Sequence, residues 1–253
     1  MMTILEAERV VKRFRGVTAL NGLTLKVEQG ETVGIIGPNG AGKTTLFNVI
    51  SGVYRPENGR LTLKGENVTG LRPDEICARG LGRTFQIVQP FAQLSVLDNI
   101  ATGCLFGMNR KNKPRSLAEA RLKAREYLGL GHLEGKGHLL AGSLTLSERK
   151  RLEMTRALAT GSDVILLDEV MAGLTPSEAE KMASTIREFR ESLHLTVLLI
   201  EHNVRLVMGL SHRIVVLDYG EMIACGKPEE IASNPDVIKA YLGEEWVRRH
   251  YLA

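Results

Sequence analysis

Residues 37–44 read Gly37-Pro38-Asn39-Gly40-Ala41-Gly42-Lys43-Thr44, which is a complete G-x-x-x-x-G-K-[ST] phosphate loop. The β-branched run before it, at residues 31–36, predicts a buried strand. After the loop, Leu46, Val49 and Ile50 have the spacing of one helix face. A strand, a glycine loop and a helix in this order form an anion cradle, so the segment predicts a site for nucleotide phosphates.

Each part of this loop has a predicted role. The backbone N–H groups are expected to point at the β- and γ-phosphates, and Lys43 adds a fixed positive charge. The hydroxyl of Thr44 is placed to bind a Mg²⁺ ion, and Thr45 follows it in the helix. We therefore expect residues 37–45 to hold the phosphates of the nucleotide.

Composition sets modest bounds on function. The chain has 253 residues, of which 43% are hydrophobic and 25% charged, as in ordinary globular proteins. Its 33 basic and 29 acidic residues give a net charge of +4, which is too mild to indicate a nucleic-acid partner. No apolar run approaches about 18 residues, so we expect no membrane-spanning segment and no export signal.

The spacing of apolar residues predicts the order of the elements. Short apolar runs separated by turn residues predict antiparallel strands within residues 4–35 and 60–68. The pattern becomes helical from Pro73 to about Ala159. Ser116 and Glu119 form a predicted capping box for one of these helices. The inner face of that helix is expected to contain Leu117, Ala120, Ala124, Tyr127 and Leu128.

The second half of the chain predicts an α/β core. Buried strands are expected at Val164–Leu167, Val197–Ile200 and Ile214–Leu217. A helix beginning near Ser177 separates the first two strands. Its predicted core residues are Met182, Ile186, Phe189 and Leu193. Strand, helix and strand in succession form a parallel βαβ unit, which makes the fold class α/β.

The apolar run at residues 164–167 ends in two carboxylates, Asp168 and Glu169. Unpaired buried charge is costly, so a buried strand that ends in charge needs a chemical reason. Beside a phosphate loop, Asp168 is expected to hold Mg²⁺ directly or through water. Glu169 is expected to orient and polarise the attacking water. The alternative, a helix N-cap or a surface turn, explains one acid better than it explains both.

From about Ile4 to Gly243 the chain resembles the ATP-binding subunits of ABC transporters. The resemblance implies that Phe14 stacks on the adenine ring, although an ordinary core phenylalanine remains an alternative. It also implies that Gln86, at the end of Gly82-Arg83-Thr84-Phe85-Gln86, contacts the metal and senses the membrane subunit. His202, which follows a predicted strand, matches the histidine that contacts the γ-phosphate.

The signature segment departs from the pattern of this family. Leu144-Thr145-Leu146-Ser147-Glu148 stands where the family has Leu-Ser-Gly-Gly-Gln. The resemblance implies that Thr145, Ser147 and Glu148 contact ATP held by the phosphate loop of a second subunit. Ser147 replaces a glycine that lets the helix N-terminus approach the phosphate, so we expect it to hinder that approach. Residues 172–176 resemble the loop at the dimer seam.

Other segments indicate a branch of the family. Residues 80–86, 96–100 and 234–243 look like those of ATPases from branched-chain amino acid importers, specifically the first of two paired, non-identical ATPases. The implied architecture is a P-loop NTPase (RecA-like) core with a parallel sheet, and the chain forms a single ABC ATPase domain. Its expected parts are an antiparallel β subdomain at about 1–30 and 58–72, an inserted α-helical subdomain at about 88–160, and a C-terminal helix and tail at 228–253.

The resemblance therefore implies an ATPase, with ATP and Mg²⁺, that drives import of branched-chain or other small amino acids. The implied partners are a second ATPase subunit, two membrane-spanning permease subunits and, indirectly, an extracytoplasmic solute-binding protein, without nucleic acid. A heterodimer is expected, with a homodimer as the alternative, at the cytoplasmic face of the membrane. ATP-driven closure is expected to move residues 87–105 against the permeases.

Other functions remain as alternatives. The importer could carry urea or amides, or the chain could be a weakly hydrolysing partner in a heterodimer. A soluble ABC-type ATPase acting on DNA or ribosomes would usually have two cassettes, a long coiled-coil insertion or strong basic patches. A phosphate-loop kinase or GTPase leaves His202 and the signature-like helix unexplained. A non-hydrolysing regulatory subunit would not need Glu169.

Overall fold

The computed structural model describes residues 2–86, 89–107 and 113–242. It divides into two compact units, of which the first comprises Met1–Arg72 and Leu198–Ala253 and the second Pro73–Val197. Within the described ranges, no helix combines the length and apolarity needed to cross a membrane.

The described ranges contain ten β-strands and nine α-helices. The strands are β1 (Thr3–Phe14), β2 (Val17–Glu28), β3 (Thr32–Ile36), β4 (Asn58–Leu63), β5 (Glu66–Asn67), β6 (Leu81–Arg83), β7 (Val164–Asp168), β8 (Thr196–Ile200), β9 (Arg213–Asp218) and β10 (Glu221–Gly226). The helices are α1 (Lys43–Ile50), α2 (Pro73–Ala78), α3 (Val96–Phe106), α4 (Leu117–Leu130), α5 (Leu146–Ala159), α6 (Pro176–Leu193), α7 (Val204–Leu210), α8 (Pro228–Ala232) and α9 (Pro235–Leu242).

The first unit contains two sheet regions. Strands β1, β2, β4 and β5 form an antiparallel sheet, as their short apolar runs and turn residues predict, and its strand order is β2-β1-β4-β5. In β2, buried Leu23, Leu25 and Val27 alternate with more exposed residues, so one face of the sheet packs on the core. Separately, β3 pairs in parallel with β9, and β10 pairs antiparallel to β9. All five residues of β3 are buried, and this strand leads directly into the phosphate loop.

An ion pair fixes the beginning of β3 against β9. Arg213 donates from Nε to Glu31 Oε1 at 2.7 Å and from Nη2 to Glu31 Oε2 at 2.9 Å. Burial by itself would raise the pKa of Glu31, but the hydrogen bonds and charge of Arg213 bring that pKa below its usual value. A folded-state pKa below the unfolded one stabilises the fold above the unfolded pKa, and this contribution is lost as the pH falls through the folded pKa.

Replacing Glu31 with Gln is expected to lower the free energy of unfolding by about 1–2 kcal/mol at pH 7, because the ion pair is lost and the amide NH2 group cannot accept one of the two hydrogen bonds from Arg213. The difference from wild type should shrink as the pH falls below about 4, where the wild-type carboxylate is itself protonated. Urea unfolding of both proteins at several pH values measures this difference in the free energy of unfolding. Glu191→Gln, which removes an exposed carboxylate beside Arg190, is the control and should cost little. A difference that does not change with pH would contradict the assignment.

The second unit combines a parallel strand pair with packed helices. Strand β6 runs parallel to β7, with Gly82 opposite Ile165. Helices α3, α4 and α5 enclose an apolar core. Its buried residues are Val96, Ile100, Ala101, Cys104, Ala120, Ala124, Leu133, Ala141, Leu144, Leu152 and Ala159. The fold class predicted from the sequence, with its parallel strands, antiparallel β part and helical part, is therefore confirmed.

Several sequence predictions need correction at helix ends. Leu117 and Leu193 were predicted to face the core, but they are 45% and 36% exposed. They are the first residue of α4 and the last of α6, where the packed face of each helix ends. The capping box at α4 is only half formed. Ser116 Oγ accepts the Glu119 N–H at 3.2 Å, whereas the Glu119 carboxylate accepts from the N–H of Arg115.

Some predicted regions lie partly outside the described residues. The expected C-terminal helix and tail at 228–253 is described only through residue 242, where it contains α8 and α9. Residues 87 and 88, in the segment expected to move against the permeases, also lie outside the described ranges. The rest of that segment is described and contains α3 except for its last residue, Phe106.

Candidate active site

The phosphate loop lies between β3 and α1 in the first unit. Its backbone takes conformations and close contacts that require glycine. Gly42 has φ +100°, and a Cβ atom added there would lie 2.5 Å from the carbonyl oxygen of Ala19. A Cβ atom at Gly37 would lie 2.0 Å from the carbonyl oxygen of Leu217. The loop therefore follows this tight path only with glycine at both positions.

The same loop has the properties of an anion site. Helix α1 begins at Lys43, its N-cap is Gly42, and its first turn contains no acidic residue. The N–H groups of that turn face the loop, where the helix dipole favours negative charge. Gly40 has φ +84° and no heavy atom within 4 Å of an added Cβ atom, so the loop is open at that point. These features fit the phosphates of a nucleotide.

Lys43 is buried, and its side chain contacts the beginning of the phosphate loop. Its Nζ donates to the carbonyl oxygens of Gly37 at 2.8 Å and Pro38 at 2.9 Å. These bonds hold the ammonium group beside the loop N–H groups, so positive charge is concentrated there. Thr44 is exposed and Thr45 half-buried in the first turn of α1.

Phe14 and His202 also belong to the first unit. Phe14 ends β1 and is 38% exposed, so the alternative of a core phenylalanine is wrong. Its ring contacts Tyr54 edge-on, with 5.1 Å between the ring centroids, and Lys12 Nζ lies 5.2 Å from its centroid. His202 is exposed two residues after the end of β8. Asn203 next to it caps α7 by accepting the N–H of Leu206.

The predicted carboxylates are both in the second unit. Asp168 is the buried last residue of β7. Arg83 Nη2 lies 3.1 Å from Asp168 Oδ2, and the backbone N–H of Asp168 donates to Thr84 Oγ1 at 3.1 Å. The guanidinium balances the buried negative charge, which would otherwise be costly. Neither acid caps a helix here, since the N-cap of the next helix, α6, is Thr175.

Glu169 and Gln86 are brought together. Gln86 Nε2 donates to Glu169 Oε2 at 3.0 Å. Glu169 has φ +51°, a left-handed conformation that residues with side chains seldom adopt. Such conformations persist where surrounding structure enforces them, and they are concentrated at functional sites. The glutamine predicted to contact the metal therefore forms a hydrogen bond with the carboxylate predicted to act on water.

The signature segment forms the N-terminus of α5. Thr145 is its N-cap, and a capping box joins Thr145 to Glu148 in both directions. Lys136 forms an ion pair with Glu148, and its hydrogen bond lowers the pKa of that carboxyl. Ser147 is the second residue of the helix. Thr145 and Glu148 therefore stabilise the first turn of α5, which contains Ser147.

Two side chains of this region were not predicted from the sequence as functional candidates. Lys150 and Glu153 on α5 are buried, and both hydrogen bond to the loops that carry Glu169 and Gln86. The sequence nevertheless contains a pattern that could have identified them. Opposite charges three residues apart, on either side of the apolar Leu152, are unusual in a helix that packs on a core.

Two family models match the chain. One is described as ABC transporter and matches residues 20–172. The other is described as branched-chain amino acid ATP-binding cassette transporter and matches residues 221–252. Among curated proteins, the high-affinity branched-chain amino acid transport ATP-binding protein BraF of Pseudomonas aeruginosa is 41% identical over 250 residues, covering 95% of this chain and 98% of BraF. LivG of Escherichia coli, which carries the same description, is 38% identical with the same coverage.

Solved structures of ATP-binding cassettes are similar to this chain in fold and sequence. The nucleotide-free ATP-binding cassette of an ABC transporter has a TM-score of 0.86 and 32% identity, covering 96% of this chain and all of that one. The ADP conformation of such a cassette also has a TM-score of 0.86, with 33% identity and the same coverage. A dimeric post-hydrolysis cassette bound to ADP and Pi has a TM-score of 0.78 and 26% identity, covering 89% of this chain and 99% of that chain.

Proposed function

The chain belongs to the ABC transporter family of ATP-binding proteins, and we propose that it hydrolyses ATP to drive the import of branched-chain amino acids across a membrane. The relatives that share its length are described as ATP-binding proteins of branched-chain amino acid transport. The observation that carries the hydrolytic part is the hydrogen bond from Gln86 to Glu169, in a chain with an intact phosphate loop. Urea or amides are the alternative cargo.

The first unit is proposed to bind the nucleotide. Lys43 and the loop N–H groups would hold the β- and γ-phosphates, because charge-assisted hydrogen bonds from buried donors are strong. Phe14 offers an exposed ring on which adenine can stack. His202 is proposed to steady the γ-phosphate. These assignments follow the family motifs at the matching positions.

The proposed Mg²⁺ ligands follow the family motifs. In the first unit the ligand is the hydroxyl of Thr44; in the second unit the ligands are the carboxylate of Asp168 and the amide Oε1 of Gln86, whose Nε2 donates to Glu169. The bound ion would neutralise charge on the β- and γ-phosphate oxygens. Arg83 already pairs with Asp168, so the carboxylate is held in one orientation.

Glu169 is proposed to act on the attacking water. Its Oε2 accepts a hydrogen bond from Gln86, and this bond orients the carboxylate that would take up a proton from the attacking water. Positioning and charge stabilisation supply most of the rate in phosphoryl transfer, so the fixed orientation of this carboxylate matters as much as its basicity.

The proposed assembly contains a second, non-identical ATPase subunit and two permease subunits at the cytoplasmic face of the membrane. An extracytoplasmic solute-binding protein would deliver the cargo. Each ATP would lie between the phosphate loop of one ATPase and the signature of the other, as in this family. The dimeric relative bound to ADP and Pi supports a dimer. A heterodimer is preferred to a homodimer because the segment Arg83-Thr84-Phe85-Gln86 resembles the first of two paired, non-identical ATPases.

Ser147→Gly is expected to raise the ATP turnover of the assembled transporter, by roughly fivefold if about 1 kcal/mol of steric cost is removed. The hydroxymethyl group of Ser147 stands at the N-terminus of α5, where glycine would allow closer approach of a phosphate. Steady-state phosphate release measures this. Ser147→Ala keeps the Cβ atom and should raise the rate less. An unchanged or lower rate for Ser147→Gly would count against the proposed obstruction.

Phosphate release by the purified chain, alone and mixed with its partner ATPase, tests the hydrolytic function. We expect Mg²⁺-dependent hydrolysis that is slow for the single chain and faster for the pair, because one chain contributes only half of each site. ATP binding without hydrolysis in the assembled pair would overturn the proposal and favour a regulatory subunit.

A further inference from the structure

Helix α5, whose N-terminus is the signature, carries two buried and oppositely charged side chains, Lys150 and Glu153. Both residues are only 5% exposed. They are three positions apart, which places them on the same side of the helix. Burying either charge costs several kcal/mol unless it is bonded, so the partners of each side chain explain why it is there.

Lys150 closes the turn that begins at Glu169. Its Nζ donates to the carbonyl oxygen of Glu169 at 3.1 Å and to that of Ala172 at 2.6 Å. The N–H of Ala172 also donates to the carbonyl of Glu169 at 3.2 Å. The left-handed conformation of Glu169 is unfavourable for a residue with a side chain, so the surrounding structure must stabilise it. The ammonium group provides that support directly at the strained peptide.

Glu153 holds the loop that carries Gln86. Its Oε1 accepts the backbone N–H of Phe85, the residue before Gln86, at 2.9 Å. Arg83 reinforces the same loop, since its guanidinium carbon lies 5.0 Å from the centre of the Phe85 ring while the group pairs with Asp168. One helix thus contacts both loops through neighbouring charged side chains.

We propose that Lys150 and Glu153 are positioning residues that hold Glu169 and Gln86 at their hydrogen-bonding distance for ATP hydrolysis. The contacts form a closed ring. Glu153 binds the Gln86 loop, Gln86 binds Glu169, and Lys150 returns from the Glu169 turn to α5. A shift of the signature helix would therefore alter the catalytic carboxylate of the same subunit. The inference rests on the proposed role of Glu169 in hydrolysis.

Lys150→Met should lower kcat about tenfold to 100-fold in the chain assembled with its partner ATPase, because a displacement near 1 Å at a reacting group can cost 100-fold. The dissociation constant for ATP should stay within about twofold, because ATP binds at the phosphate loop of the first unit. Lys150→Arg keeps donors for both carbonyls and should recover most of kcat. Lys181→Met, at an exposed lysine on α6, is the matched control and should hydrolyse ATP as wild type does.

Glu153 provides an independent arm of the same test. Glu153→Gln keeps an oxygen that can accept the Phe85 N–H and should lose less kcat than Glu153→Ala. In both variants the dissociation constant for ATP should again be unchanged. Equal losses in the two variants would overturn the part of the inference that depends on this hydrogen bond.

Two further measurements separate positioning from general destabilisation. In a Glu169→Gln background, adding Lys150→Met should not lower the residual rate further, because the group that Lys150 positions is gone. Amide hydrogen exchange at Ala172 should be faster in Lys150→Met than in Lys150→Arg. A wild-type kcat in Lys150→Met would overturn this inference but not the proposed function. The same would hold if Lys150→Met lowered the rate by the same factor with Glu169 present and with Glu169→Gln. A wild-type assembly that binds ATP without hydrolysing it would overturn the proposed function.

Discussion

Replacing Glu169 with Gln is expected to lower kcat for ATP hydrolysis by at least about 100-fold while ATP still binds, because removal of a general base typically costs 10²–10⁴-fold. The amide has the size of the carboxylate and can still accept a hydrogen bond from Gln86, so the local geometry should persist. It cannot take up a proton from water. The expected product is an ATP-bound dimer that fails to turn over.

Phosphate release, equilibrium ATP binding and light scattering together measure this result. Glu180→Gln on α6 is the matched control, since Glu180 is an exposed glutamate outside the candidate site. We expect the control to hydrolyse ATP at the wild-type rate. If Glu169→Gln retained more than about a tenth of the wild-type kcat, Glu169 would not be the group that activates water.

Replacing Lys43 with Gln is expected to weaken ATP binding by roughly 10- to 200-fold, since hydrogen bonds from charged groups contribute about 1.5–3 kcal/mol. The ammonium group is buried at the loop and is held by the carbonyls of Gly37 and Pro38. A neutral amide at this point would leave the phosphates without the charge that the loop concentrates.

Fluorescent-nucleotide titration measures the affinity, and the urea midpoint reports any loss of fold. Lys181→Gln, an exposed lysine on α6, should bind ATP as wild type does. Unchanged affinity in Lys43→Gln would show that the loop does not hold the nucleotide as proposed. The contrast with Glu169→Gln matters because one variant should lose binding and the other should lose only hydrolysis.

Local chemistry explains what the sequence could predict. Gly37 and Gly42 are required by close approaches of the backbone, and these requirements leave a pattern of fixed spacing. Buried strands such as β3 and β7 are apolar runs, so their bounds were predicted within about one residue. The order of strands and helices therefore predicted the α/β core, and short apolar runs, turn residues and helical spacing predicted its antiparallel and helical parts.

Other features could not be predicted from the sequence because they depend on contacts between residues that are far apart in the chain. Arg83 meets Asp168 across 85 positions, and Lys150 reaches Glu169 across 19, and neither pairing produces a periodic signal. Helix periodicity also places Leu117 on the inner face, but it says nothing about where that face loses its packing partner. The left-handed backbone of Glu169 is likewise invisible in a stretch that contains no glycine until Gly173.

ATP hydrolysis by this chain is proposed to drive uptake of branched-chain amino acids. We would measure uptake of radiolabelled leucine by vesicles that contain this chain together with the proposed partner ATPase, permease subunits and solute-binding protein. We predict uptake that requires ATP, is lost with Glu169→Gln and is not reduced by excess urea. Uptake that continues with Glu169→Gln, or ATP-driven uptake of urea but not of leucine, would show that ATP hydrolysis by this chain does not drive leucine import.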